Sequence, residues 1–403
     1  MTIFPFLPKK TNQRQSATAG LIRRLNRSAI LDQIRSYSPI SRVEIARNLS
    51  MSMPTVIRLV DGLIAEDLVR ALAGTAPSGG RPKTLLEFNG DSYCVIGIDL
   101  GGTKMFGTVA DLNGNIQIEK YIPWKDTNRD SLTNLNDLIE ELINSPRPEG
   151  QRIRGIGIGA PGITRNIEGI VEWAPSLGWR ELPLKQILED RYHLPVFVEN
   201  DVNLAALGEY GFGSSKGASS LVCIAIGTGI GSGIVIDRAI YRGFHQAAGE
   251  IGYLLPGRSA LHKKYHNFGA LESLASGTGI AERGKKKLSS LDLPAPKDLS
   301  AEDVFLSAAE GQTWARDVVE ETVDYLSLGI GSVTAVLDPE VIILGGGVSR
   351  SADVLIPPIM DRLKDSLAVL PRIEKSILGY RATVMGAIIL VLDITTEYVS
   401  VNE

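Results

Sequence analysis

The sequence predicts an α/β protein in two parts: a winged helix-turn-helix over residues 1–89, then a larger body in which strands alternate with helices. Three observations predict it. Residues 1–88 carry 13 Lys and Arg against 6 Asp and Glu, whereas residues 89–403 carry 29 against 40, so a basic arm precedes an acidic body. Helical periodicity fills the arm, and from residue 91 short apolar runs lead into glycine turns. Within the body the plan strand, glycine turn, strand occurs twice, at residues 95–110 and 220–236.

A chain of 403 residues, 44% hydrophobic, is long enough for two or three domains with full cores. The only cysteines, Cys94 and Cys223, lie inside apolar runs, so they build neither a disulfide framework nor a metal site, and a reducing, cytoplasmic setting is expected. Residues 1–8 are too short and too proline-broken for a signal peptide. The most apolar stretches, 221–236 and 384–392, are glycine-punctuated or too short to span a bilayer, so no membrane association is expected.

In the arm, residues 20–36 form an amphipathic helix with Leu21, Leu25 and Ala29 on one stripe and Leu31 and Ile34 close by. A second helix over 41–49 carries Ile45, Ala46 and Leu49. A third begins near Pro54 and places Val56, Leu59, Val60, Leu63 and Ile64 inward, with Thr55, Arg58 and Gly62 on its other face. Two short helices joined by a tight turn make a helix-turn-helix, whose second helix suits the major groove. Strands at 68–70 and 84–88 around the turn 76–83 make a wing with Arg81 and Lys83 at its tip. Operator DNA is therefore the expected partner of the arm. Arg42, Arg47, Arg58 and Arg81 supply phosphate affinity, and Thr55 and Arg58 are the candidates for base edges. A three-helix protein-binding module is the alternative.

The body starts with the run Tyr93-Cys94-Val95-Ile96, which leads through Asp99 into Gly101-Gly102-Thr103-Lys104 and a second strand, 105–110. Adjacent glycines let backbone N–H groups approach an anion, and Thr103 and Lys104 add a hydroxyl and a charge. A plain glycine hairpin remains the other reading. Residues 116–122 continue the sheet after the Asn113-Gly114 turn, and 130–143 form a helix with Leu135, Leu138, Ile139 and Leu142 inward. The strand 195–198 ends at Glu199-Asn200-Asp201, where a helix starts, the usual ligand end of an α/β unit. The second glycine hairpin holds Gly227, Thr228 and Gly229, and the strand 341–344 runs into Gly345 and Gly346.

On these motifs the body resembles the ROK family over residues 91–395. The similar elements are Asp-Leu-Gly-Gly-Thr-Lys at 99–104, Gly-Ala-Pro-Gly at 159–162, Glu-Asn-Asp-Val-Asn at 199–203, Gly-Thr-Gly-Ile-Gly-Ser-Gly at 227–233, Gly-Glu-Ile-Gly at 249–252, Leu-Glu-Ser-Leu-Ala-Ser-Gly at 271–277 and Leu-Gly-Gly-Gly-Val at 344–348. The arm, ending in Ser-Gly-Gly-Arg-Pro at 78–82, resembles that of the family's repressor branch of the xylose and N-acetylglucosamine type. The resemblance implies a two-lobed, actin-like ATPase fold of the sugar kinase type: a first lobe over 90–205, joined by a C-terminal helix at 384–398, and a second lobe over 206–403.

It also implies roles. Asp201 matches the kinases' general base; Asn200, Glu250 and Glu272 match sugar-holding positions; Ser176 stands where a sugar-binding asparagine is common. Asp99, Gly101, Gly102, Thr103, Lys104, Gly227, Thr228, Gly229, Gly345 and Gly346 match the nucleotide surroundings. The family's zinc ligands fall here at Tyr253, Lys263, Tyr265 and Ala270, so the zinc site is expected to be lost and no cofactor required; ATP and Mg enter only if kinase activity is retained. His262 and His266 are expected at the surface.

Three functions follow as expectations. The first is a sugar-responsive transcriptional regulator, acting as a homodimer or dimer of dimers on operator DNA. The second is an ATP-dependent sugar kinase or a bifunctional protein. A third is a regulator that docks another protein through Lys285-Lys286-Lys287 or the loop 258–267.

Overall fold

A computed structural model of the chain describes residues 19–75, 84–101, 104–123, 130–215, 217–265 and 269–395. The chain divides into two units between Asn89 and Gly90.

In the first unit the order is α1 (Ala19–Tyr37), β1 (Ile40–Ser41), α2 (Arg42–Asn48), α3 (Met53–Ala65), β2 (Val69–Thr75) and β3 (Thr84–Phe88). Ser41 starts α2 with a capping box: its hydroxyl accepts the Glu44 N–H while the Glu44 carboxylate accepts the Ser41 N–H. Val56, Leu59, Val60 and Leu63 of α3 are buried, as their spacing predicts. The inward stripe of α1 includes the predicted Leu31 and Ile34 but is centred closer to them than to Leu25 and Ala29. Ile30, Leu31 and Ile34 are buried together with Arg27 and Ser28, while Leu25 and Ala29 are half-buried. On this face the Arg27 guanidinium bonds Glu66 beyond the end of α3, at 2.6 Å. It passes Gly62, so that residue faces α1 rather than the outer surface. β1, too short to show in the sequence, pairs antiparallel with β3, and β3 pairs with β2.

The second unit holds two five-stranded sheets of the same topology. The first lobe contains β4 (Tyr93–Leu100), β5 (Lys104–Asp111), β6 (Ile116–Pro123), α4 (Ser131–Ile143), β7 (Arg152–Ala160), a small antiparallel sheet of β8 (Ile163–Arg165), β9 (Ile170–Ala174) and β10 (Trp179–Leu182), α5 (Leu184–Tyr192), β11 (Val196–Asn200) and α6 (Asp201–Phe212). The second contains β12 (Ser220–Ile226), β13 (Ile230–Ile236), β14 (Ala239–Ile240), α7 (Glu272–Ala275), α8 (Gly277–Ser290), α9 (Ala301–Ala309), α10 (Thr313–Leu337), β15 (Val341–Gly345), α11 (Ala352–Leu363), β16 (Arg372–Lys375) and α12 (Ala382–Thr395). Their orders, β11-β7-β4-β5-β6 and β14-β13-β12-β15-β16, each join an antiparallel three-stranded meander to two parallel strands. The sequence echo between the two glycine hairpins is thus one of whole sheets.

Each sheet ends in a helix that packs on the other sheet. α6 follows β11 yet lies against β12 and β13, and α12 follows β16 yet lies against β4 and β7. The two helices cross at glycines: a Cβ on Gly208 would fall 2.1 Å from the Ala382 carbonyl oxygen, and one on Gly386 1.8 Å from that of Leu204. Only hydrogen at both positions allows this approach. The helix therefore begins two residues before the predicted 384; the predicted 396–398 lie outside the described residues. Cys94 and Cys223 are buried free thiols. No helix among the described residues is long and apolar enough to cross a membrane.

Candidate functional site

The strand β4 delivers Asp99 next to its end, and β11 delivers Asp201 as the first residue of α6. β7 lies between these two strands, parallel to both. From the second lobe, Glu250 follows the left-handed Gly249 (φ +93°), and Glu272 opens α7. The four carboxyls are linked in a row by charge, Asp99 to Asp201, Asp201 to Glu250 and Glu250 to Glu272. Burial and the Asp99 charge, with a smaller contribution from Glu250, push Asp201 up to about 8. Burial pushes Asp99 up to about 6 against the opposing pull of Lys104. Glu250 is raised by burial, although as a residue it is open to solvent. Glu272 is raised by burial and by Glu250, with the Ile230 N–H working against them. The Tyr253 phenol, half exposed, is raised by burial and by both Glu250 and Glu272, so it belongs to the same group.

Glu272 sits between two glycines. A Cβ on Gly229 would come 2.9 Å from its Oε1, and one on Gly252 2.6 Å from its Oε2. Gly227 and Gly229 close their turn by a bond from the Gly227 N–H to the Gly229 oxygen, the Gly227 oxygen accepts the Gly277 N–H at 2.7 Å, and Thr278 donates to the Thr228 oxygen. The Thr228 side chain is exposed.

The other candidates take several positions. Asn200 caps α6: its Oδ1 accepts the Val202 and Asn203 N–H groups and its Nδ2 donates to Gly162 O, which leaves one N–H for a ligand. The Lys104 ammonium rests 5.3 Å from the ring centre of Tyr121, drawn there by the aromatic face. Gly346 (φ +79°) packs on the backbone of Ile226 beside the buried Gly345. Ser176 is exposed on a 3-10 turn after β9, with no bond to the acidic group among the described residues. Gly102, Thr103 and His266 lie outside the described residues, as do Arg81 and Lys83; His262 is exposed. No group of three or more His, Cys, Asp or Glu among the described residues could hold a metal ion.

In the first unit, Arg42 is not a free cation. It bonds Asp61 of α3 at 2.7 Å, pinning α2 to α3. Arg47 and Arg58 are exposed with no ion-pair partner among the described residues, and the Thr55 hydroxyl lies 2.9 Å from that of Ser52.

Glu199 and Arg242 are the pair the sequence did not reveal. The Glu199 side chain is 2% exposed; its Oε1 accepts the Asn200 N–H and the Asn203 Nδ2–H, and its Oε2 accepts Arg242 Nε at 2.7 Å. A charge at the end of the apolar run Val196-Phe197-Val198 signals a partner, but one 43 residues away is not legible locally. Breaking such a buried pair from one side typically costs about 3–5 kcal/mol.

The ROK family's sequence model matches residues 95–394. A putative xylose repressor of Caldicellulosiruptor sp. strain Rt8B.4 is 31% identical, covering 93% of this chain and 96% of its own. A glucokinase of Halalkalibacterium halodurans is 35% identical but covers 69% of this chain and 87% of its own. Among solved structures, a ROK family transcriptional regulator, a homolog of the Escherichia coli MLC protein, superposes with a TM-score of 0.82 at 27% identity over 94% of this chain and 98% of its own. With a family match over most of its length and a fold that repeats the regulator's, this chain belongs to the ROK family.

Proposed function

We propose that the chain is a sugar-responsive, DNA-binding transcriptional regulator of carbohydrate metabolism, acting as a repressor. The first unit is a winged helix-turn-helix: α2 and α3 form the motif, α3 enters the major groove with Thr55 and Arg58, and β2 and β3 flank the wing. The observation that carries the reading is coverage: the repressor relative spans the arm as well as the body, whereas the glucokinase match covers about two thirds of the chain.

Asp201, Glu250 and Glu272, with the remaining N–H of Asn200, hold ring hydroxyls by short charge-assisted hydrogen bonds. The ligand class follows from the field. Charge couples Asp99 to Asp201, Asp201 to Glu250 and Glu250 to Glu272, and Lys104 acts on Asp99 among them, so a neutral polyhydroxyl sugar is accepted and a sugar phosphate is repelled. Binding biases the spacing of paired winged units in a homodimer, a coupling of about 1–3 kcal/mol, or roughly 5–150-fold in operator affinity. This reading needs no zinc, since the family's ligand positions hold Tyr253, Lys263, Tyr265 and Ala270, none a usual zinc ligand.

The test is fluorescence anisotropy on duplexes selected from a random pool, with and without D-xylose, D-glucose, N-acetylglucosamine and its 6-phosphate. One neutral sugar weakens operator binding and the phosphate does not. A protein that selects no specific duplex at moderate salt would refute the reading, and sedimentation checks the dimer.

A second reading, an ATP-dependent sugar kinase, is favoured by one feature: Asp201 stands at the start of α6 beside Asp99. ATP with Mg would supply the phosphoryl group near Asp99 and the two glycine turns. The chain's own part would be Asp201 taking the proton of the attacking hydroxyl. Sugar-dependent ADP release that Asp201→Asn abolishes would support it.

A further inference from the structure

The loop after β14 leaves the second lobe at Tyr241 and returns to β13 at Gly249, immediately before Glu250. Its base is closed by the Ala248 N–H donating to the Arg242 carbonyl oxygen at 3.0 Å. Its return is fixed where Ser232 donates both its N–H and its hydroxyl to Gly249 O, each at 2.8 Å. Between these points it reaches the first lobe twice. Arg242 grips the buried Glu199 carboxylate at 2.7 Å, and Gln246 Oε1 accepts the Asn166 N–H, beyond β8, at 2.8 Å.

We propose that Glu199 and Arg242 are positioning residues that hold the two halves of the sugar site in register, the loop 241–249 being the strap between the lobes. The reasoning is geometric. The carboxylate that Arg242 grips also accepts the Asn200 N–H and the Asn203 amide, which are the residues on either side of Asp201 and its neighbour Val202. Arg242 begins the loop whose last residue sets Glu250. One ion pair therefore ties the backbone under Asp201 to the backbone under Glu250, and a shift of either lobe is felt by both carboxyls. This rests on the sugar-site reading given above, so its test has a part that needs no sugar.

Hydrogen–deuterium exchange on the full-length protein compares the wild type with Arg242→Met, Glu199→Gln, the double variant and Gln246→Ala. Arg242→Met speeds exchange in 199–204 and in 242–250 together. The double variant matches the larger single effect instead of the sum, because the pair acts as one unit. Gln246→Ala, a milder surface change, loosens 163–170 and 242–250. Titrated with D-xylose and D-glucose, Arg242→Met loses at least tenfold in affinity for whichever sugar the wild type binds, keeps sugar-free operator affinity within twofold, and is partly rescued by Arg242→Lys. Faster exchange confined to 242–250, or additive effects in the double variant, would overturn the proposal. Unchanged sugar affinity in Arg242→Met would overturn it too. A wild type that binds neither sugar while the two segments still loosen together would instead count against the sugar reading and leave the strap standing.

Discussion

A β-carbon at Gly229 would lie 2.9 Å from Oε1 of Glu272, the far end of a flexible side chain, while one at Gly252 would also meet the Ile230 carbonyl oxygen at 2.6 Å. The two glycines therefore respond differently to the same methyl. Gly229→Ala displaces the carboxylate at little cost to the fold, and it lowers sugar affinity about tenfold while moving stability by no more than ~1 kcal/mol. Gly252→Ala strains backbone and lowers both. Calorimetric titration beside thermal melts separates the two effects, and an unchanged sugar affinity in Gly229→Ala would remove Glu272 from the site.

Asp99 and Asp201 give the body a pH signature. Their folded pKa values, about 6 and about 8, lie above the ordinary carboxylate value, so the native state holds more protons than the unfolded one between pH ~4 and ~8. Stability from this source is complete below pH ~4 and is lost as pH rises through the folded values. Asp201→Asn removes much of that loss. Because water reaches this partly exposed side chain, we expect about 1–2 kcal/mol at pH 8 and almost nothing at pH 4.5. Melts across that range check it, and a midpoint that rises from pH 5 to pH 8 in the wild type but not in the variant would contradict it.

Arg42 and Arg58 look alike in sequence, both cations of the α2–α3 pair, yet of the two only Arg58 faces solvent without an ion-pair partner among the described residues. Arg58→Ala should weaken operator binding about tenfold. If its contact is to phosphate, the salt slope falls by about one. Arg42→Ala should cost mainly stability, about 0.2–1 kcal/mol for an ion pair whose Asp61 partner is exposed. Anisotropy from 50 to 300 mM salt distinguishes them, and equal losses of operator affinity would show that Arg42 leaves Asp61 to meet DNA.

What was legible in the sequence followed periodicity and short-range chemistry. Leu135, Leu138, Ile139 and Leu142 are the buried face of α4, and the third helix buries Val56, Leu59, Val60 and Leu63, because apolar spacing is a local signal. On α1 the predicted Leu31 and Ile34 are buried, and Arg27 joins them by turning inward to reach Glu66, which no hydrophobic count anticipates. The sheet β8-β9-β10 and the two-residue β1 carry too few residues for a pattern. Some of the motif glycines also serve packing: Gly233 makes room for the Val202 carbonyl of α6 and Gly346 for Ile226. Asn200, named for a sugar, spends most of its amide as a helix cap. The Glu199–Arg242 pair depends on the fold bringing the loop after β14 to the end of β11.

The crossing of α6 and α12 yields the sharpest stability prediction. At Gly208 and Gly386 an added methyl meets backbone oxygen, at 2.1 and 1.8 Å, so relief requires the helices to separate. Alanine gains up to about 1 kcal/mol in helix propensity, but overpacking against backbone costs about 1–3 kcal/mol or more, and the clash wins. Each single variant should lower the thermal midpoint by several degrees. The double variant should lose less than the sum, because helices already parted by one methyl admit the second at lower cost. Gly227→Ala is the control, since nothing lies within 4 Å of its added carbon and its stability should stay within ~0.5 kcal/mol of the wild type. Should Gly386→Ala melt like Gly227→Ala, the two helices that exchange sheets do not touch at these glycines, and the joint between the lobes lies elsewhere.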